Sequence, residues 1–141
     1  MPSVEPRAAV HVAGTADDTL LEAVHHAMEE LWSAVPDVPT RDRIRFDTAL
    51  AEVVANVVRH AVPAGDQAVH VKVALTVDDD SARAEVVDDG IAVPVDLDRE
   101  LPDETAVSGR GLVLIQRATD QFGFERRSGH NVWRIVCRYR A

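Results

Sequence analysis

The 141-residue chain reads as an α+β domain, a two-layer sandwich with its helices on one face of a sheet, and three observations carry that reading. From Val69 to Val77 apolar and polar residues alternate, which is the period of a half-buried strand. From Phe46 to Val58 apolar residues return at spacings of three and four, the period of a helix lying against a core. Such segments come in runs: a strand, two helices, two strands, an aperiodic stretch, a helix and two strands. Strict alternation would instead predict a parallel α/β sheet.

The elements follow in order. Ala8 to Ala13, with its valines before Gly14, predicts the first strand. Asp17 or Asp18 can cap a helix that runs to about Ala34 and buries Leu20, Leu21, Val24, Ala27, Met28, Leu31 and Trp32. Pro36 and Pro39 separate it from a second helix over about Thr40 to Ala61, which stops before Pro63-Ala-Gly65. Val69 to Val77 is a strand, Asp78 to Ser81 a turn, and Ala82 to Val87 pairs back as a hairpin. Residues 90–108 lose periodicity and carry Pro94 and Pro102, so they read as a lid over a site. A third helix runs from Gly109 to about Asp120. A closing hairpin, Phe122 to Arg127 and Asn131 to Arg140, turns at Ser128-Gly-His130. In its last strand Trp133, Ile135, Cys137 and Tyr139 share one face. The length predicts a single domain over 1–141, with no repeat or linker dividing it.

Composition narrows the function. Apolar residues make up 46% and charged residues 28%, a globular balance, and the net charge is −9 from 24 acidic against 15 basic residues. Phosphate backbones and anionic membranes require a cationic footprint, so neither direct nucleic-acid contact nor membrane binding is expected. Cys137 is alone, which excludes an internal disulfide and a cysteine metal cluster. No signal-like or spanning apolar run is present, and a cytoplasmic location is expected.

Two segments carry chemistry. Glu52, Asn56 and His60 fall four apart on one line of the second helix, with Arg59 beside them. A carboxylate and an amide on a core helix are costly to bury unless something polar faces them. Ser108-Gly-Arg-Gly-Leu112 opens the third helix with two glycines, a pattern suited to phosphate at a helix amino terminus. Together they place a nucleotide between the two helices. Elsewhere the plainer reading prevails. His60 alone reads as packed or capping, and His25-His26 with Glu29-Glu30 lack a metal-binding pattern. Arg41, Arg43, Arg45 and the Arg126-Arg127 pair read as solvated faces or partner contacts, and Cys137 as a small core residue.

At three boxes the sequence resembles the GHKL ATPases, which include gyrase, histidine kinases and MutL. It looks most like their anti-sigma-factor serine/threonine kinase branch. The boxes are Glu52-x3-Asn56-x2-Arg59-His60-Ala61, then Val87-Asp88-Asp89-Gly90, then Gly109-Arg110-Gly111-Leu112 continuing to Leu114-Ile115. The resemblance implies the Bergerat ATP-binding fold, a mixed, mostly antiparallel sheet with three helices on one face. It implies ATP and Mg²⁺ as ligands, with Asn56 holding the metal and Glu52 as general base. It further implies Asp88 and Gly90 at adenine, and Ser108, Gly109, Arg110, Gly111 and Leu112 around the phosphates, with Arg59 and His60 completing the binding set. The implied partners are a sigma factor and an anti-anti-sigma protein with a STAS domain, and the implied assembly is a homodimer. One position departs from the pattern: Ala92 stands where the family often has a second glycine. A non-catalytic regulator that binds nucleotide or sequesters protein therefore stays open beside the kinase.

Overall fold

The computed structural model describes residues 5–92 and 109–139. Along the chain these form β1 (Ala8–Thr15), α1 (Asp18–Ala34), α2 (Thr40–His60), β2 (His70–Val77), β3 (Ser81–Asp88), α3 (Gly109–Ala118), β4 (Gln121–Arg127) and β5 (His130–Arg138). The strands make one five-stranded sheet in the order β1-β2-β3-β5-β4, every pairing antiparallel. This is the expected α+β sandwich, and each element lies within about two residues of its predicted bounds.

The sheet divides by parity. Val71, Val73, Leu75 and Val77 of β2, Ala82, Ala84 and Val86 of β3, and Trp133, Ile135 and Cys137 of β5 point to the helices and are buried. Against them pack Leu20, Val24, Leu31 and Trp32 of α1 and Phe46, Leu50, Val53, Val54 and Val57 of α2. From β4, Phe122 stacks on Trp133 at 6.1 Å between ring centroids and Phe124 meets it edge-on at 4.7 Å. The opposite face is open and carries an ion-pair ladder: Arg134 donates to Glu85 and to Glu125, each at 2.9 Å, and Arg127 lies 3.2 Å from Glu125.

The ends of the elements are set locally. Asp17 caps α1, its carboxylate accepting the Thr19 N–H at 3.0 Å. The closing hairpin turns through Ser128 and Gly129, both at positive φ (51° and 79°), the backbone of a two-residue turn whose twist matches the strands. That turn fixes Arg127 opposite His130 and therefore Arg126 opposite Asn131.

Arg45, expected at a solvated face, is instead a tie. Its guanidinium donates to Asp42 at 3.0 Å, to Asp120 at 3.0 Å and to the Arg138 carbonyl at 3.1 Å. It thereby pins the start of α2 to the α3–β4 connection and the end of β5. Asp42 is only 1% exposed, and a buried carboxylate persists because such a partner faces it. Cys137 is the expected core residue: burial pushes its thiol up to about 11, and it donates to the Ala118 carbonyl.

Asp47 accepts the Trp32 indole N–H at 2.8 Å beside the α1–α2 packing. Burial holds its carboxyl above the ordinary value, against the opposing effect of that hydrogen bond. The folded protein keeps this proton to higher pH than the unfolded chain does. The stability involved is thus complete below the unfolded value of about 3.9 and is lost as pH rises through the folded one. Asp47→Asn keeps an acceptor for Trp32 and removes the titration. The variant is expected to melt above the parent at about pH 7 and to lose that advantage at about pH 3. An equal difference at both pH values would show that desolvation of Asp47 is not its source.

Candidate functional site

Asn56 lies on the line of α2 that meets α3. It is 1% exposed, and neither its Oδ1 nor its Nδ2 has a hydrogen-bond partner. Leaving a buried amide unsatisfied costs about 1–3 kcal/mol, so native structures rarely do it without a reason. What faces it is Gly111, in the first turn of α3. A Cβ built on Gly111 would stand 3.0 Å from Glu52 Oε2, 3.2 Å from Asn56 Nδ2 and 3.3 Å from Asn56 Oδ1. The glycine thus lets α3 come closer to the carboxylate and the amide than any residue with a side chain could. Here the structure brings together two segments more than fifty residues apart in sequence.

The donor set fits a magnesium–nucleotide ligand. Asn56 offers an unused hard oxygen, Glu52 a carboxylate with 29% of its side chain exposed, and α3 an amino terminus that opens Gly109-Arg110-Gly111. Among the described residues no group of three or more His, Cys, Asp or Glu could hold a metal alone. A cation beside Asn56 would therefore draw its other ligands from phosphate and water, as Mg²⁺ commonly does.

The second cluster lies where β3 ends. Asp88 is 2% exposed, and its Oδ1 accepts the Gly90 N–H at 3.0 Å and the Asn131 Nδ2 at 2.9 Å. Gly90 is obligatory on space alone, since a Cβ there would stand 2.9 Å from the Val62 carbonyl oxygen. Ile91 N–H donates to that same carbonyl at 2.9 Å, so the chain leaving β3 docks on the residue just beyond α2. Val62 and Ile91 are among the few large apolar side chains left exposed, at 47% and 43%. Asp89, by contrast, serves the sheet: its Oδ1 accepts the His70 N–H at 2.7 Å.

The remaining expected residues fall as follows. Arg59 lies back along its own helix, donating to the Ala55 carbonyl at 3.2 Å and approaching Glu52 Oε2 at 3.9 Å. His60 closes α2 and is partly buried. The Leu112 side chain belongs to the core at 4% exposure, which leaves only its backbone N–H to meet a phosphate. Gly109 is the first residue of α3. Ser108, the side chain of Arg110 and the expected lid from residue 93 onward lie outside the described residues. Two residues at the site escaped the sequence reading. Asn131 is 0% exposed, and Arg126, exposed as expected, also donates to the Gly90 carbonyl at 2.6 Å, a tie that the expectation of a solvated face or partner contact did not include. The signal for both was parity: Asn131 continues the Trp133, Ile135, Cys137 face, and Arg126 continues that of Phe122 and Phe124.

Comparison with known proteins points the same way. The profile of the histidine kinase-like ATPase domain matches residues 14–137. Comparison with curated protein sequences finds no significant match. Among solved structures, the RsbU and RsbW domains of a Mycobacterium tuberculosis protein align over 94% of this chain at 18% identity, with a TM-score of 0.65. The histidine kinase domain of a blue-light activated histidine kinase from Erythrobacter litoralis aligns over 84% at 18% identity, with a TM-score of 0.57. The histidine kinase AdeS of Acinetobacter baumannii aligns over 92% at 18% identity, with a TM-score of 0.52. The chain spans 32% of the first of these structures, 63% of the second and 68% of the third. At such identities the likeness concerns the fold.

An unpartnered amide in a core leads to a direct expectation. Asn56→Leu replaces two unsatisfied polar atoms with an apolar side chain of similar outline. It should stabilise the unliganded protein by about 1–3 kcal/mol, which is a few degrees in melting temperature. A lower melting temperature than the parent would show that the amide is satisfied in solution.

Proposed function

The chain belongs to the histidine kinase-like ATPase family, and on that premise we propose that it binds Mg-ATP between α2 and α3 and acts as an anti-sigma factor with serine/threonine kinase activity. The single observation that carries the proposal is the buried, unpartnered Asn56 amide held against Gly111 and Glu52. Buried polar groups in native structures are mostly paired, and a polar ligand in this cleft would complete both atoms of the amide.

In this reading Asn56 Oδ1 would hold Mg²⁺, and the bound ion would supply charge neutralisation for the triphosphate. The backbone at the start of α3, with Gly109 and Gly111 admitting close approach, would receive the phosphates, with Ser108, Arg110 and Leu112 alongside. Asp88 would accept a hydrogen bond from the exocyclic amino group of adenine, with Gly90 letting the ring pass close. Glu52 would take the proton of a serine hydroxyl as its oxygen attacks the terminal phosphorus and ADP leaves. Arg59 and His60 would line the side of the site nearest the end of α2. The protein substrate would be a STAS-domain anti-anti-sigma protein, and phosphorylation would place about two negative charges at its interface and release it. The protein held and released in exchange would be a sigma factor, bound by a homodimer of this chain in the cytoplasm. The −9 net charge favours protein partners over nucleic acid. No helix among the described residues is long and apolar enough to cross a membrane.

One observation favours a second reading, binding without turnover: Ala92 replaces a glycine common in the family.

The two separate in one experiment. With labelled ATP and Mg²⁺, the parent should transfer phosphate to a STAS-domain partner. Glu52→Gln should bind ATP about as tightly as the parent yet lose transfer by roughly 10²-fold or more. Asn56→Leu should lose Mg²⁺-dependent binding. Gly111→Ala, whose methyl group would press on Glu52 and Asn56, should weaken binding while the fold persists. Calorimetric binding without transfer would select the non-catalytic regulator, and no binding by the parent would refute both.

A further inference from the structure

The two residues after Asp89 belong to no strand or helix, yet all four of their backbone polar groups are bonded. Gly90 N–H donates to Asp88 Oδ1 at 3.0 Å, and the Gly90 carbonyl accepts from Arg126 Nη1 at 2.6 Å. Ile91 N–H donates to the Val62 carbonyl at 2.9 Å, and the Ile91 carbonyl accepts from Asn131 Nδ2 at 2.8 Å. Irregular segments ordinarily leave such groups to water. Two of the four partners, Arg126 and Asn131, come from the closing hairpin, more than thirty residues further along the chain.

The sheet places them there. Asp88 stands opposite Asn131 in the β3–β5 pairing, and Asn131 stands opposite Arg126 in the β4–β5 pairing. The three side chains therefore form one row on the face toward the helices. Asn131 Nδ2 is shared between Asp88 Oδ1 and the Ile91 carbonyl, so one amide fixes both the carboxylate and the chain beyond it. Oδ1 of Asp88 then holds two donors, Gly90 N–H and Asn131 Nδ2. No described residue donates to Oδ2, which makes it the oxygen presented to a ligand.

We propose that Arg126 and Asn131 are positioning residues that set the base preference of Asp88, a role that rests on the nucleotide reading above. Held in one orientation, Oδ2 rewards a ring bearing an amino group and repels one bearing a carbonyl at the same position. Freed from Arg126, Gly90 can withdraw its N–H, and the carboxylate can turn and lose that discrimination. Arg126 is exposed, so its truncation leaves the core intact. Its neighbour Arg127 lies on the opposite face, against Glu125, and carries the same charge without touching Gly90.

The test compares dissociation constants for ATP and inosine triphosphate, with Mg²⁺, by calorimetry on the full chain. ITP differs in carrying a carbonyl in place of the amino group. Arg126→Ala should lower the ATP-to-ITP preference by about tenfold, the scale of one charge-assisted hydrogen bond. Arg126→Lys should restore much of it, and Arg127→Ala should match the parent. Asn131→Leu should behave as Arg126→Ala does; if it fails to fold, the Arg126 pair decides alone. A preference in Arg126→Ala equal to that in Arg127→Ala overturns the positioning role. If in the same series Asp88→Asn abolishes the preference, the nucleotide reading stands and only this inference falls. A parent that binds neither nucleotide removes both.

Discussion

The rest of the site depends on an amide group that the fold buries and leaves without a partner. Asn56 occupies a position on α2 where Val53, Val54 and Val57 are all core, and an apolar residue of the same outline would avoid the cost of burying its amide unpaired. Gly111 makes the arrangement possible, because a side chain there would press on both Asn56 and Glu52. Two helices packed this closely would otherwise close over the gap with a side chain from α3. The cost falls on folding, and any ligand that satisfies the amide recovers it on binding. Stability and affinity therefore oppose each other at this residue.

Much of this is legible in the sequence. The helical period around Asn56, the clean alternation of β2 and the glycines that open α3 each state a local preference that tertiary packing went on to respect. The polar residues on the core helix were legible for the same reason: an amide amid valines is an anomaly under the hydrophobic pattern. Arg45 and Arg126 were not. An arginine's length lets it reach partners far away in sequence: nothing periodic marks the Arg45–Asp120 pair, and parity places Arg126 on the inner face without naming Gly90 as its partner. Asn131 lay between these cases. Strand parity put it on the inner face, but its meaning needed the register that sets it opposite Asp88.

The site is thus assembled from both layers. The helices supply Glu52, Asn56 and Gly111, and the sheet supplies the Asp88–Asn131–Arg126 row. Val62, just beyond α2, joins the two by accepting from Ile91. The Arg45 tie at the other end of α2 fixes that helix against β5. Both ends of the helix that carries the candidate catalytic groups are consequently anchored to the sheet, which suits chemistry that tolerates little misplacement.

The ladder of Glu85, Arg134, Glu125 and Arg127 lies on the far side of the sheet from all of this, and surface ion pairs add little to stability. Its effect is on alignment. Because side chains alternate, sliding β4 by one residue past β5 would send Arg126 to the solvent side and bring Arg127 toward the helices. Such a slip would also pull Glu125 away from Arg134. Charges remote from the pocket thereby act as a ratchet on the hairpin and penalise a slipped register that would disarm the pocket while leaving the sheet intact.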